Sequence, residues 1–228
     1  MGKLKVMLFD LDGTLADTAP DIANAANELR RFHGHTEIPN TEITRMIGNG
    51  SRTLVKQVLQ YESFFVQEES ALDNEHERFL TFYQNGFCVH SVLFDGVEST
   101  LKSLHAAGIT LGVVTNKPER FIEPLLEHLG VRQYFSVLIG GDTLVTKKPD
   151  AGPLLHACQM LNVRPQEALM VGDSVTDVLA ARAAQIAIAA VSFGYNHGED
   201  IRESQPDYVV EHFAELLALP LVSSVLPA

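Results

Sequence analysis

Apolar positions along the chain follow two spacings. Val6-Met7-Leu8-Phe9 is an unbroken apolar run, too short for a helix, and reads as a strand buried on both faces. Similar runs recur at Ile109 to Val114, Phe135 to Ile139, Ala168 to Val171, Ile188 to Val191 and, more briefly, Tyr208 to Val210. Between them apolar residues return every three or four positions, as on a helix with one buried face. Val97, Leu101 and Leu104 make one such face, closed by Gly108. Further helices are expected from Pro118 to Gly130, from Pro153 to Leu161 and through Ala180 to Ala184. This alternation predicts an α/β fold, a Rossmann-like parallel sheet with helices on both faces.

The segment after the first strand breaks the alternation. Pro20 suits a first helical turn, with Asp17 or Thr18 as its cap, and Ile22, Ala25, Ala26, Leu29 and Phe32 then follow helical spacing. A short helix from Thr41 carries Ile43 and Ile47, and a third, capped by Ser51, carries Leu54, Val55, Val58 and Leu59. A fourth runs from about Gln67 to Phe87, and no strand is expected between Asp17 and His90. Residues 17–91 are therefore expected to form an all-helical module, with 1–16 and 92–228 forming the α/β core.

At 228 residues and 46% hydrophobic, the chain is long enough for one large core and a smaller module. Its formal charge of −12 argues against nucleic acid or an anionic membrane as partner. Cys88 and Cys158 make no disulfide framework, and the N-terminal apolar run is too short for a signal peptide. A cytoplasmic monomer or homodimer is expected. The apolar stretch from Leu216 to Ala228, interrupted by Pro220 and Pro227, reads as a tail docked on the core or at a subunit contact.

The candidate chemistry sits where the strands end. The first stops at Asp10-Leu11-Asp12-Gly13-Thr14, where Gly13 lets the backbone turn sharply so that both carboxylates face one pocket. The second ends in Thr115-Asn116, the loop after the third carries Lys147-Lys148, and the fourth ends in Gly172-Asp173 through Asp177. In a parallel sheet these ends share one edge, where ligands of open α/β sheets bind. Clustered carboxylates suit a hard cation, most plausibly Mg²⁺. A lysine and a hydroxyl suit phosphoryl oxygens, and the cation offsets the repulsion between the acids and an anionic substrate. Lys147 reads as a solvated charge, and His33, His35 and His76 as surface residues.

These stretches, in this order and each after an expected strand, resemble the four motifs of the haloacid dehalogenase superfamily, and the helical module resembles its type-one cap. A finer similarity, to the bacterial phosphoglycolate phosphatase family within it, rests on Ile47-Gly48-Asn49-Gly50 and on Ser192-Phe193-Gly194-Tyr195-Asn196-His197-Gly198. Ala151 stands where the superfamily often has proline, three residues after Lys148. The resemblance implies a Mg²⁺-dependent hydrolase of small phosphate monoesters. Asp10 would be the nucleophile and Asp12 the general acid and base. Asp10, the Asp12 carbonyl and Asp173 would hold the metal, with Asp177 tuning that shell or joining it. Thr115 and Lys148 would hold the phosphoryl oxygens, helped by backbone N–H groups near Leu11 and Asn116.

The cap should select the substrate. Arg45, Arg52 and Lys56 flank the Gly48-Asn49-Gly50 loop, and a helix opening at Ser51 would point N–H groups at an anion. A small ester bearing a carboxylate, such as 2-phosphoglycolate, would fit, with Gly50 and Arg52 as substrate-binding residues. Within the same fold a sugar phosphomutase or another small-metabolite phosphatase remains open. A dehalogenase would have no use for the second acid. A response-regulator receiver also gathers acids, Thr and Lys, but carries no helical insertion of this size after its nucleophile strand.

Overall fold

The computed structural model describes residues 3–63 and 69–226. The first strand, β1 (Val6–Phe9), is buried along its whole length. Side chains alternate in direction along a strand, and here both directions meet apolar layers. Met7 and Phe9 enter one hydrophobic cluster, Val6 and Leu8 another. A strand with two covered faces has no polar position to offer until it ends, which is why the acids begin at Asp10.

After the turn come β2 (Ala16–Asp17) and four helices: α1 (Ala19–Phe32), α2 (Asn40–Thr44), α3 (Ser51–Gln60) and α4 (Glu69–Gly86). They bury a cluster of their own, including Ile22, Ala26, Leu29, Leu54, Val55, Phe79 and Leu80. Of the expected start of the fourth helix near Gln67, residues up to 68 lie outside the described ones. Ile47 is buried but follows α2 rather than belonging to it.

The chain returns through β3 (Val92–Leu93), which pairs antiparallel with β2. This two-residue ribbon puts Asp17 in a strand, against the expectation of none from there to His90, and leaves the cap position of α1 to Thr18. Such short strands carry no periodicity to read. Asp17 also accepts a hydrogen bond from the Ala19 N–H at 3.3 Å.

The core then alternates as expected: α5 (Val97–Ala106), β4 (Thr110–Val114), α6 (Ile122–His128), β5 (Phe135–Ile139), α7 (Gly152–Met160), β6 (Ala168–Gly172), α8 (Val175–Ala184), β7 (Ala187–Val191) and β8 (Tyr208–Val210). Pro118 precedes a 3₁₀ turn at Glu119–Phe121, so α6 starts later than expected. The sheet order is β5-β4-β1-β6-β7-β8 with every pairing parallel. One face is covered by α5 and α6, the other by α7 and α8. The tail docks on the core: Phe213, Leu216 and Val222, the last in α9 (Pro220–Ser223), join the α5/α6 layer. Pro227 lies outside the described residues. No helix among the described residues is long and apolar enough to cross a membrane.

Central β1, flanked by β4 and β6, thus delivers its terminal acids between the ends of its two neighbours.

Candidate active site

The turn after β1 is tightly wound. Leu11 C=O accepts from the N–H groups of Thr14, Leu15 and Ala16, and Gly13 N–H donates back to Ala16 C=O. Gly13 has φ +86°, and a Cβ there would lie 2.5 Å from Asp173 Oδ2. A side chain at this position is excluded both by backbone conformation and by the neighbouring acid.

Lys148 lies between two of the acids. Its ammonium is 2.6 Å from Asp177 Oδ1 and 3.0 Å from Asp10 Oδ1, and the side chain is 1% exposed. Burial alone would lower its pKa, but Asp10 and Asp177 hold it above the ordinary lysine value. Asp177 is fully committed. Its Oδ2 accepts from Asp173 N–H, Ser174 N–H and the Ser174 hydroxyl, capping α8, while its Oδ1 takes Lys148. Asp173 accepts from the Thr14 hydroxyl at 2.8 Å and from Tyr195 N–H at 2.8 Å.

Asp10, Asp173 and Asp177 each offer an oxygen within 4.8 Å of the others, and all three are buried. Such crowding favours protonation. Burial, opposed by Lys148 and reinforced by Asp177, pushes Asp10 up to about 6. Burial, with Asp177 and Asp10, pushes Asp173 up to about 8. Asp10 Oδ1 also lacks a hydrogen bond of good geometry. An all-oxygen, acid-crowded donor set of this kind fits a hard divalent cation.

Asp12 points elsewhere. Its carboxylate accepts from the Thr18 hydroxyl at 2.7 Å and from Lys117 Nζ at 3.0 and 3.3 Å. The two acids of Asp10-Leu11-Asp12 therefore have different cations, Lys148 for one and Lys117 for the other. Lys117 is 3% exposed. Its Nζ lies 4.7 Å from the ring centroid of Tyr83 on α4. Burial would lower the Lys117 pKa, but Asp12 raises it above the usual value. The Tyr83 phenol, pushed up to about 12 chiefly by burial, stays neutral. Its hydroxyl is buried and makes no hydrogen bond of good geometry.

A cavity of about 50 Å³ opens between the strand ends and the helices above. Asp10, Asp12, Thr115, Asn116 and Lys117 line its floor, with Gly48, Gly50 and Ser51 at one side. Its roof is apolar: Ile22, Ile47, Leu54, Phe79 and Leu80, with Tyr83 beside them.

The Gly48-Asn49-Gly50 loop is tied to the core. Asn116 Nδ2 donates to Gly48 C=O at 3.0 Å and to Lys148 C=O at 2.9 Å. Lys147 Nζ donates to Asn49 C=O at 2.8 Å, and the Thr176 hydroxyl donates to Asn49 Oδ1 at 3.1 Å. Lys147 is thus half-buried and engaged, which corrects its reading as a solvated charge. His197 reaches the same loop, with its ring nitrogens 2.8 Å from Arg45 C=O and 3.4 Å from Asn49 Nδ2. The two stretches that carry the finer family resemblance therefore meet in space. The second also enters the site itself. Gly194 passes so close to Asp173 that a Cβ there would lie 2.1 Å from the Asp173 Cβ. The Tyr195 hydroxyl accepts from the N–H groups of Thr18 and Ala19 at 2.9 and 3.0 Å and donates to Asp17 at 2.7 Å, so a core loop caps α1.

The structure brings Asp10, Asp12, Thr115, Asn116, Lys148, Asp173 and Asp177 to one sheet edge, with Gly50 across the cavity. Arg52 is not among the residues lining the cavity. Its Nε donates to Asp73 Oδ1 at 2.8 Å on an exposed face. Arg45 pairs with Glu42, and Lys56 is exposed. Ser51 does not cap its own helix, since Gly50 holds the cap position and the Ser51 hydroxyl contacts His76 Nε2 at 2.7 Å. His33 is likewise paired, 2.8 Å from Glu75. Lys117 and Tyr83 were not singled out by sequence reasoning. The only hint was a lysine directly following Thr115-Asn116 at a strand end.

Residues 7–191 match the family model for haloacid dehalogenase-like hydrolases. A phosphoglycolate phosphatase of Colwellia psychrerythraea is 42% identical over 215 residues, 93% of this chain and 95% of that protein. One of Chromobacterium violaceum is 41% identical, over 95% of this chain and 96% of its own. Among solved structures, a predicted phosphoglycolate phosphatase from Haemophilus somnus superposes with a TM-score of 0.89 at 32% identity, covering 96% of this chain and 99% of that one. CbbY from Rhodobacter sphaeroides, in complex with phosphate, gives 0.76 at 25% identity, covering 93% and 96%. The chain belongs to the haloacid dehalogenase-like hydrolase family.

Proposed function

We propose that the protein is a phosphatase of small phosphate monoesters that works through an aspartyl-phosphate on Asp10, with 2-phosphoglycolate as its substrate. The observation that carries this reading is the convergence of Asp10, Asp12 and Thr115 on one small cavity, with the buried Lys148 ammonium 3.0 Å from Asp10 behind it. The names of the relatives at about 40% identity support the substrate. The phosphate bound by the CbbY neighbour supports a phosphoryl site in this fold.

Asp10 Oδ attacks phosphorus as the bond to the ester oxygen breaks. Asp12 delivers its proton to the departing alkoxide, then takes a proton from the water that cleaves the acyl phosphate, releasing phosphate and restoring Asp10. Lys148 and the Thr115 hydroxyl hold the phosphoryl oxygens, and the fixed Lys148–Asp177 pair keeps the ammonium in place. Phosphoryl transfer asks chiefly for such positioning and charge stabilisation. Asp10, the Asp12 carbonyl and Asp173 would hold Mg²⁺, which when bound would neutralise the charge of the acids and the phosphoryl group. Asp177 places Lys148 and shapes the Asp173 loop, and its carboxylate lies close enough to Asp10 and Asp173 to join the metal's shell.

Residues 17–91 act as the cap. A cavity of about 50 Å³ has room for only a few water molecules, which suits a two-carbon leaving group better than a sugar. The test is a screen of phosphate release across small esters with and without Mg²⁺. The reading requires Mg²⁺-dependent turnover with phosphoglycolate foremost. A preference for sugar phosphates, or turnover indifferent to metal, would contradict it.

A further inference from the structure

The phosphoryl end of the cavity is crowded with partners, whereas the end that would receive the leaving group has few polar groups. Among the described residues lining the cavity, Lys117 is the sole cation. A leaving group that carries a carboxylate would otherwise meet Ile22, Leu54, Phe79 and Leu80, and an anion placed there without a partner is costly. Among the nearby charges, Arg52, Arg120 and Lys147 line an adjoining pocket rather than this one, and Arg52 Nε donates to Asp73.

Two observations converge on the Lys117 side. The ammonium has three N–H donors, and its close carboxylate contacts, at 3.0 and 3.3 Å, go to the two oxygens of a single group, Asp12. Beside it Tyr83, 3% exposed, presents a neutral hydroxyl that lies close to Lys117 but makes no hydrogen bond of good geometry. Buried phenols ordinarily find a partner. A carboxylate could accept from both, from the ammonium on the core loop and the hydroxyl on α4.

We infer that Lys117 and Tyr83 together form the subsite that reads the carboxylate of the substrate. The inference rests on the phosphatase reading above and deepens it. One ligand group would bridge the core and the helical cap, so the subsite is complete only when the two are closed on each other. The incoming carboxylate would also share the ammonium that holds Asp12, which places recognition next to the general acid.

The experiment compares kcat/KM for 2-phosphoglycolate and for ethyl phosphate, which has a methyl group where the first has the carboxylate. It is run on the wild type, Lys117→Met and Tyr83→Phe, with Lys117→Gln if the methionine variant does not fold by circular dichroism. Losing the Lys117 contact to Asp12 will slow both substrates, so the quantity read is the ratio between them. The phosphoglycolate preference should fall on the order of ten- to a hundredfold without the ammonium and about two- to tenfold without the hydroxyl, mainly through KM. An unchanged ratio in the Lys117 variants overturns the subsite while leaving the phosphatase reading intact. A wild type that shows no preference for phosphoglycolate, or hydrolyses neither ester, overturns both.

Discussion

The strand ends below the cavity carry charged groups that satisfy one another, while the helices above present a nearly apolar surface. Below, Lys148, Asp10, Asp177, Ser174 and Asp173 form one connected, buried network. Above, the polar side chains that reach the cavity are Ser51, whose hydroxyl contacts His76, and Tyr83, whose hydroxyl makes no hydrogen bond of good geometry. The network below joins Lys148 to acids distant in sequence and locks Asp177 locally to Asp173 and Ser174, so each member has one position to occupy. The surface above combines side-chain packing with hydrogen bonds of its own, such as Asn27 to the Ile38 carbonyl and Arg30 to the Val58 carbonyl, that touch none of the site acids. In the proposed reading, chemistry belongs to the side of the acids and selectivity to the side of the helices, with Lys117 at their junction.

That contrast can be broken most forcefully at the nucleophile. Asp10→Asn keeps the size of the side chain but removes the attacking charge, so turnover should fall at least about a thousandfold while the fold is retained. Circular dichroism and a steady-state assay check both halves.

Lys148→Met should come next. It leaves Asp10 and Asp177 without their shared cation in a fully buried site. Breaking such a pair costs about 3–5 kcal/mol, a melting temperature lower by on the order of 10 °C for a chain of this size. Loss of phosphoryl stabilisation should lower kcat roughly a hundred- to a thousandfold. A melt as high as that of wild type would mean the network is not the rigid element described here.

Gly194→Ala tests the loop that braces Asp173. With only 2.1 Å to the Asp173 Cβ, something must move, at a cost of about 1–3 kcal/mol. The rise in melting temperature on adding Mg²⁺ should shrink along with it.

Metal and pH sharpen the same comparison. In the metal-free protein Asp173 is pushed up to about 8 from 3.8. A raised acid holds its proton more tightly when folded, so its contribution to stability is fully present below about 3.8 and is lost as pH rises through about 8. If the deprotonated acids hold Mg²⁺, as proposed, its stabilising effect should grow between pH 6 and pH 8, where Asp10 and Asp173 release protons. Thermal melts with and without Mg²⁺ across that range read the difference. A metal effect that diminishes with rising pH would contradict the acid cluster as the metal site.

The smallest effect is expected at Arg52. An exposed ion pair such as Arg52–Asp73 is worth about 0–1 kcal/mol. Arg52→Ala should therefore change kcat/KM for phosphoglycolate less than about fivefold.

Which residues the sequence made legible follows the same division. Asp10, Thr115, Asn116 and Asp173 each stand immediately after an apolar run, and a parallel sheet leaves only one edge for such ends to meet. Lys148 and Asp177 could be placed beside them because each follows shortly after. The cap side is different. Nearness to the Gly48-Asn49-Gly50 loop singled out Arg52, but sequence proximity does not say which face of α3 turns inward, and Leu54 and Val55 take that face. Tyr83 repeats four residues after Phe79 and reads as ordinary helix core. Its hydroxyl acquires meaning only when Lys117, from a distant loop, is seen against the same ring. The Tyr195 loop was legible as a family mark but not as a brace, because its contacts to Asp173 and the start of α1 are tertiary.

The most direct test of the account is to look for the phosphoryl group on the protein. Asp12→Ala removes the residue proposed to activate water, so with an aryl phosphate, whose leaving group needs no acid, the covalent species should accumulate. Mass spectrometry of the rapidly quenched protein should then find one added phosphoryl group on the peptide that bears Asp10, and none when Asp10→Asn is introduced as well. A phosphoryl group on any other residue, or full turnover by a folded Asp10→Asn protein, would contradict the account.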